Sequence, residues 1–196
     1  MVKERIILGI DPGTIVMGYG VIHCKGKEAE LLALGVLKLD KYDDYALKLK
    51  KIFERTVGLI EEYKPDEMAI EAPFFGKNVQ SMLKLGRAQG VAIAAAMSRE
   101  LAVNEYSPKK IKQSITGSGN ASKEQVSSML QRILKFENDN KFFDATDGLA
   151  AAYCHFLQNK LVIPELKSTG KSKIPAKKKA SSWESFVSVN PSRVKK

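Results

Sequence analysis

The sequence predicts one α/β domain, built on a mixed five-stranded sheet flanked by helices, followed by a basic tail. Short apolar runs of strand type alternate with longer segments whose apolar residues recur at helical spacing, in the order β-β-β-α-β-α-β-α-α. Residues 167–196 hold nine basic residues against one acid and few apolar side chains, a composition typical of disorder. We therefore expect the domain at residues 1–160 and the tail at residues 161–196.

Each element follows from a local pattern. The predicted strands lie at residues 5–10, 19–23, 31–39, 68–70 and 101–106. The predicted helices lie at residues 43–63, 78–100, 122–135 and 143–158. Pro65 ends the first helix, and Ser122 with Gln125 three residues later forms a predicted capping box for the third.

Composition excludes several classes of protein. The chain has 196 residues, of which 44% are hydrophobic, so it can bury a core. The longest apolar run, residues 91–97, is far shorter than the roughly 20 residues of a membrane span. Cys24 and Cys154 lack the paired spacing of a disulfide scaffold or a thiolate zinc site. We therefore expect a cytoplasmic protein with no membrane partner.

The tail leaves two interpretations open. Its net positive charge could merely keep the protein soluble. It could also tether a polyanion such as nucleic acid through counterion release.

Acidic residues interrupt apolar segments at three places. Asp11 and Glu71 each follow a strand of buried type, and Asp144 and Asp147 lie three residues apart at the start of an apolar helix. Each acid has an ordinary explanation, such as a turn at Asp11 or a helix cap at Asp144. Together, however, they form an oxygen-rich set suited to Mg²⁺ or Mn²⁺. Two such ions could activate a water and stabilise the leaving oxygen of a phosphodiester.

Three further features have plain interpretations. His155 lies two turns past Asp147 on the same helix, and we expect it at the surface. Gly148 weakens helix propensity slightly, which suggests no function. The small residues of the predicted helix 78–100 could pack onto the sheet or onto a second copy of the chain.

At this point the motifs resemble those of the RuvC family of Holliday junction resolvases. The matching segments are Ile-Leu-Gly-Ile-Asp-Pro-Gly-Thr (7–14), Gly-Tyr-Gly-Val (18–21), Ala-Ile-Glu-Ala-Pro-Phe-Phe-Gly-Lys-Asn (69–78), Leu-Lys-Leu-Gly-Arg-Ala-Gln-Gly-Val (83–91), Tyr-Ser-Pro-Lys-Lys-Ile-Lys-Gln (106–113) and Asp-Ala-Thr-Asp-Gly-Leu-Ala (144–150). Each motif is weak alone, but their ordered succession over residues 5–158 is highly specific. The family commonly has Ala where Thr146 and Gly148 stand here.

The resemblance implies a ribonuclease H-like fold and a homodimer that cuts a four-way DNA junction. The catalytic and metal-binding acids would be Asp11, Glu71, Asp144 and Asp147, holding Mg²⁺, with two ions per subunit and Mn²⁺ as a substitute. Paired nicks in two strands of like polarity would leave 5′-phosphate and 3′-hydroxyl ends during DNA recombination and repair. The RuvA and RuvB branch-migration complex would be a partner.

DNA contacts are predicted around these acids. By the family pattern, Phe74 would insert between or stack on bases at the crossover, and Phe75 would be core. The loop at residues 116–120 could bring backbone amides to an anionic strand, or could be a plain connector. Candidate phosphate contacts are Lys77, Arg87, Lys109, Lys110, Lys112 and Lys123, of which family position favours Lys112 and Lys123.

Three alternatives remain open. Gly-Ile-Asp-Pro-Gly-Thr (9–14) also resembles the phosphate loop of actin-like ATPases and sugar kinases, although those proteins need two such domains. The chain could instead be a non-catalytic junction-binding scaffold, against which the four acids argue. It could also cut RNA–DNA hybrids.

Overall fold

The computed structural model describes residues 4–73, 78–137 and 143–160. Its strands are β1 (Glu4–Asp11), β2 (Val16–Lys25), β3 (Glu28–Lys38), β4 (Glu67–Glu71) and β5 (Ala102–Tyr106). Its helices are α1 (Tyr45–Tyr63), α2 (Val79–Met97), α3 (Pro108–Thr116), α4 (Lys123–Leu134) and α5 (Phe143–Lys160).

The five strands form one mixed sheet in the order β3-β2-β1-β4-β5. The first three strands pair antiparallel as a meander, whereas β4 is parallel to β1 and β5 is parallel to β4. The predicted mixed five-stranded α/β architecture is therefore confirmed. Because β1, β4 and β5 run in the same direction, their carboxyl ends meet at one edge of the sheet.

Helices cover both faces of the sheet, and alternate strand residues decide which face each side chain enters. Leu8, Ile70 and their neighbours pack with α1 and α2 in one apolar cluster. Ile7 and Ala69, each one residue away on the same strands, pack with α3, α4 and α5 in the other. Asp11 and Glu71 therefore point toward the second layer, because they continue the alternation of Ile7 and Ala69.

Helix α3 is an element that the sequence analysis did not predict. Ser107 caps it by accepting a hydrogen bond from the backbone N–H of Lys110, Pro108 occupies its first turn, and Gly117 ends it with a φ of 80°. Only Ile111 and Ile115 are buried, so its nine residues carry too short an apolar repeat to stand out. The Ser-Pro pair before a lysine-rich segment was the available signal.

Glycines allow α5 to lie very close to β1 and β2. A Cβ on Gly148 would lie 2.6 Å from the Cα of Tyr19, and a Cβ on Gly20 would lie 2.6 Å from the Cα of Leu149. A Cβ on Gly9 would collide with the carbonyl oxygen of Gly148. Gly148 thus has a packing role that helix propensity alone did not reveal, and the close approach brings the start of α5 next to the end of β1.

The remaining expectations concern the ends of the chain and the membrane. Residues 161–196 lie outside the described residues, so the boundary at residue 160 and the basic tail stay predictions. None of the helices within the described ranges is long and apolar enough to cross a membrane.

Candidate active site

Three of the four predicted acids meet at the carboxyl edge of the sheet. Asp11 is the last residue of β1, and Glu71 is the last residue of the neighbouring parallel strand β4. Asp147, on the second turn of α5, joins them in lining one cavity of about 540 Å³. Asp144 stands one turn earlier on α5, with half of its side chain exposed. The predicted clustering of residues from three distant segments is therefore seen in the structure.

Burial and mutual repulsion make these carboxylates costly to ionise. Burial raises the pKa of Asp11 well above its usual value, and the charges of Glu71 and Asp147 raise it further. Burial, together with the charge of Asp147, raises the pKa of Glu71 to about 7. Burial also raises the pKa of Asp147, even though its hydrogen bond with Lys123 acts in the opposite direction. Clusters of perturbed acids in a cleft are typical of functional sites.

Two lysines balance part of this negative charge. Lys123 Nζ lies 2.5 Å from Asp147 Oδ2 and 3.7 Å from Asp144 Oδ1. Burial acts to lower the pKa of Lys123, but its hydrogen bond with Asp147 and the surrounding acids raise it. Lys112 lines the same cavity and lowers the pKa of Glu71. Both lysines favoured by the family resemblance therefore face the acids.

The other predicted DNA contacts are distributed differently. Lys109 lines the cavity together with Gly119 and Asn120 of the predicted loop. Arg87 is exposed on α2, in the opposite layer, where its charge opposes the burial that raises the pKa of Tyr45. Lys110 is exposed on α3. Phe74, Phe75 and Lys77 lie outside the described residues.

The residues present fit a divalent cation in charge and in donor type. Carboxylate oxygens are the ligands that Mg²⁺ and Mn²⁺ prefer, and bound positive charge would relieve the repulsion that raises the pKa of Asp11 and Glu71. Within the described residues, however, no group of three or more His, Cys, Asp and Glu side chains is spaced as a finished metal centre. Metal binding would therefore require the carboxylate side chains to rearrange.

Two contacts that the sequence did not reveal hold the end of β4 in place. The backbone N–H of Ala72 donates to the carbonyl oxygen of Tyr106 at 2.8 Å. From the other layer, Gln89 Nε2 donates to the carbonyl oxygen of Glu71 at 3.4 Å and to Glu105 Oε2 at 2.7 Å. A polar residue among the small apolar side chains of α2 was the only available sign of Gln89.

His155 corrects an expectation, because it is buried rather than at the surface. Only 3% of it is exposed. Its Nδ1 lies 2.6 Å from the Tyr106 hydroxyl and its Nε2 lies 3.1 Å from Glu67 Oε2. The expectation failed because α5 is covered on most sides by the sheet and by α3 and α4, and a histidine can be buried there when both ring nitrogens have partners.

Comparisons with known proteins identify a family and agree with this fold. The family model described as "Crossover junction endodeoxyribonuclease RuvC" matches residues 7–155. A protein of that name from Porphyromonas gingivalis is 56% identical to this chain, and the match covers 98% of both chains. Another, from Cytophaga hutchinsonii, is 59% identical, and the match covers 98% of this chain and 89% of that one.

Solved structures lead to the same family. Thermus thermophilus RuvC in complex with Holliday junction substrate is 30% identical, with a TM-score of 0.74 over 80% of this chain and 95% of that one. The yeast mitochondrial Holliday junction resolvase, at 16% identity and a TM-score of 0.58, shares the fold. The expected ribonuclease H-like fold is therefore confirmed, and the chain belongs to the RuvC family of crossover junction endodeoxyribonucleases, enzymes that hydrolyse phosphodiester bonds.

Proposed function

We propose that this chain resolves Holliday junctions by metal-dependent hydrolysis, with Asp11, Glu71, Asp144 and Asp147 as the catalytic acids. The observation that carries the proposal is the shared cavity of Asp11, Glu71 and Asp147, in which burial and repulsion raise the pKa of all three. A scaffold that only bound DNA would gain nothing from negative charge beside a phosphate. Family membership also favours a nuclease over an actin-like ATPase or sugar kinase fragment.

The four acids would hold Mg²⁺, with two ions per subunit and Mn²⁺ as a substitute. When bound, such ions supply an activated water and stabilise the leaving 3′-oxygen, so that cleavage leaves 5′-phosphate and 3′-hydroxyl ends. Asp11 and Glu71 approach from the rigid sheet, whereas Asp144 and Asp147 approach from α5. Ligands from two rigid elements preorganise the site.

The lysines would act on the phosphate. Lys123 pairs with Asp147 in the free protein, and the charge of Lys112 opposes the rise in the pKa of Glu71. Each lysine would contact a phosphate oxygen when DNA enters. Phe74, Lys77 and Arg87 would also contact the DNA. These contacts position the junction rather than read its sequence.

A homodimer would place two such sites on strands of like polarity, matching the two-fold symmetry of the junction. Support comes from α2, whose inner residues Ala88 and Ala92 are buried against the sheet. Its outer face exposes Val79, Leu83 and Met97 by 64%, 58% and 67%. Between them, a Cβ on Gly90 would meet nothing within 4 Å, so a second copy of α2 could approach closely.

Sedimentation tests this dimer. We expect the unmodified protein to sediment as a dimer and Gly90→Arg as a monomer, because the arginine would occupy the centre of the outer face of α2. Phe53→Arg, at an exposed position of α1, is the matched control and should leave the dimer intact. If the Gly90→Arg protein is still a dimer, the interface does not lie on the outer face of α2.

We expect the RuvA and RuvB complex to be recruited after this chain has bound the junction. Pull-down of that complex on junction DNA, with and without this chain, checks the expectation.

A synthetic four-way junction tests the function. With Mg²⁺, the unmodified protein should cut two opposed strands, whereas Asp11→Asn should bind the junction and leave it intact. Linear duplex, an RNA–DNA hybrid and ATP serve as control substrates. Full junction cleavage by Asp11→Asn would contradict the assignment, and turnover of ATP without DNA would favour the kinase-like alternative.

A further inference from the structure

A chain of half-buried polar groups around the buried His155 crosses the second layer beside the active site without belonging to it. The Tyr106 hydroxyl, at the end of β5, lies 2.6 Å from Nδ1 of His155 on α5. Nε2 of the same ring lies 3.1 Å from Glu67 Oε2 at the start of β4. Arg5 of β1 completes the chain, with its guanidinium 3.2 Å from Glu67 Oε2. Four elements are thus joined through one histidine.

The direction of the hydrogen bonds follows from the chemistry of the partners. The Glu67 carboxylate can only accept, so Nε2 carries the ring proton and donates it. Nδ1 then accepts from the Tyr106 hydroxyl. Burial lowers the pKa of His155, and the neutral ring with one proton on Nε2 satisfies both contacts. Because the ring is almost wholly buried, loss of either hydrogen bond should be costly.

Tyr106 is also tied to the end of β4. It pairs with Glu71 across the two strands, and its carbonyl oxygen accepts from the backbone N–H of Ala72 at 2.8 Å. The same residue therefore holds the strand end that carries Glu71 through its backbone, and α5 through its hydroxyl. Asp144 and Asp147 lie on that helix, eight or more residues before His155.

The packing of α5 explains why such a connection is needed. Glycines set how close α5 lies to the sheet, since Gly9, Gly20 and Gly148 allow backbone contact. Contacts among small apolar groups are not directional, and they resist sliding of the helix along the sheet only weakly. Hydrogen bonds with fixed directions can set the position along the helix axis.

We propose that Tyr106 and His155 act together as positioning residues that set the distance between Glu71 on β4 and the two acids on α5. The proposal rests on the proposed function of those acids. Neither residue touches substrate or metal. Their effect passes through the backbone of β4 and through the rigid helix.

Tyr106→Phe tests the proposal, because it removes the hydroxyl and keeps the ring. We expect kcat on a four-way junction to fall by roughly 10- to 100-fold, the effect of a displacement of about 1 Å, while KM for the junction stays unchanged. Calorimetric titration with Mn²⁺ is a measurement independent of activity. For Tyr106→Phe it should give a dissociation constant at least about tenfold larger than that of the unmodified protein, since misplaced carboxylates bind a cation less well.

Tyr153→Phe is the matched control. Tyr153 is a buried tyrosine of α5 that packs against the ring of Phe156 and faces Cys24 rather than β5. The Tyr153→Phe substitution should change the melting temperature without changing kcat or Mn²⁺ affinity. If Tyr106→Phe keeps the kcat and Mn²⁺ affinity of the unmodified protein, or if Tyr153→Phe reproduces its losses, the positioning role is wrong.

Substitution of the histidine gives a second test. His155→Gln keeps a hydrogen-bond donor and an acceptor, whereas His155→Leu keeps neither. If both variants are equally soluble, His155→Gln should have the higher kcat. Combined with Tyr106→Phe, His155→Gln should add little further loss, since both variants break one connection. Independent, fully additive losses would overturn the proposal. Asp11→Asn distinguishes failure of the proposed function from failure of the positioning role. If Asp11→Asn cuts the junction normally, the proposed function is wrong. If Asp11→Asn is inactive while Tyr106→Phe cuts normally, only the positioning role is wrong.

Discussion

The two faces of the sheet are built from the same strands but for different purposes. Toward α1 and α2, residues such as Leu8, Met68 and Ile70 are fully buried in an apolar cluster. Toward α3, α4 and α5, the same strands present glycines, the acids Asp11 and Glu71, and Glu67, which contacts His155 of α5. Ile70 and Glu71 are adjacent in sequence yet belong to different layers. One face supplies stability, and the other accepts an electrostatic cost to hold the site.

Charged residues also differ between the two layers. On α1, Lys51 Nζ pairs with Glu54 Oε2 at 2.8 Å on the surface, where such a pair contributes little. At the ends of β1 and β4, the acids repel one another, and Lys112 and Lys123 balance part of their charge. Function therefore explains the second arrangement better than stability does. Substitutions on the α1/α2 face should therefore change mainly stability, and substitutions of the acids on the other face should change mainly cleavage.

The largest expected effect is on cleavage, at Glu71. We expect Glu71→Gln to lower junction cleavage by roughly 10²- to 10³-fold or more, the loss typical when one group that stabilises a transition state is removed. Single-turnover cleavage at saturating protein measures it. Ile70→Val, the neighbouring change on the opposite face, should cost about 0.5–1.5 kcal/mol of unfolding free energy and leave cleavage unchanged. Equal cleavage by Glu71→Gln would remove Glu71 from the site.

The next effect is on stability, and it depends on pH in the metal-free protein. The pKa of Glu71 is raised from 4.5 to about 7. Between these values the unfolded chain loses its proton first, so unfolding becomes easier as the pH rises, and the full penalty of roughly 3 kcal/mol is reached above pH 7. Glu71→Gln lacks this penalty, and should gain stability relative to the unmodified protein as pH rises.

Urea unfolding in the presence of a chelator, at about pH 4.5 and pH 8, measures the difference between the two proteins. Asp11 and Asp147 are present in both proteins, so the difference reports Glu71 together with its repulsion of these two acids. A stability difference that stays constant with pH would show that the pKa of Glu71 is not raised.

A smaller effect is expected where α5 touches the sheet. Gly9→Ala would press a methyl group against the backbone of Gly148 and Ala152, so α5 must move away from β1. We expect a loss of about 1–3 kcal/mol in unfolding free energy, together with weaker cleavage because Asp147 moves with the helix. Thermal unfolding and junction cleavage check both. Normal cleavage by a destabilised variant would separate packing from the placement of the acids.

The smallest effect has the opposite sign and lies in the other layer. A Cβ on Gly58 of α1 would meet nothing within 4 Å. Gly58→Ala should raise the unfolding free energy by about 0.5–1 kcal/mol through helix propensity alone, with no change in cleavage. Thermal unfolding checks this, and a loss of stability would show that α1 is packed more tightly at Gly58 than the structure describes.

Particular residues show what sequence patterns could and could not predict. The strands around Asp11 and Glu71 were predictable, because apolar runs that end in an acid are local features. Helix α3 was missed because two buried isoleucines give too weak a repeat. His155 was misplaced because its burial depends on Tyr106 and Glu67, which are distant in sequence.

The sequence by itself determined the order of the elements, the four acids and the family, since these depend on local periodicity and on motifs in succession. Only the tertiary structure decided that Asp11, Glu71 and Asp147 share one cavity with Lys112 and Lys123, and that Tyr106 of β5 contacts the buried His155 of α5. The physical reason is that burial, repulsion and hydrogen bonding depend on distances in space, which parallel strand pairing and glycine-mediated packing set only when the chain folds.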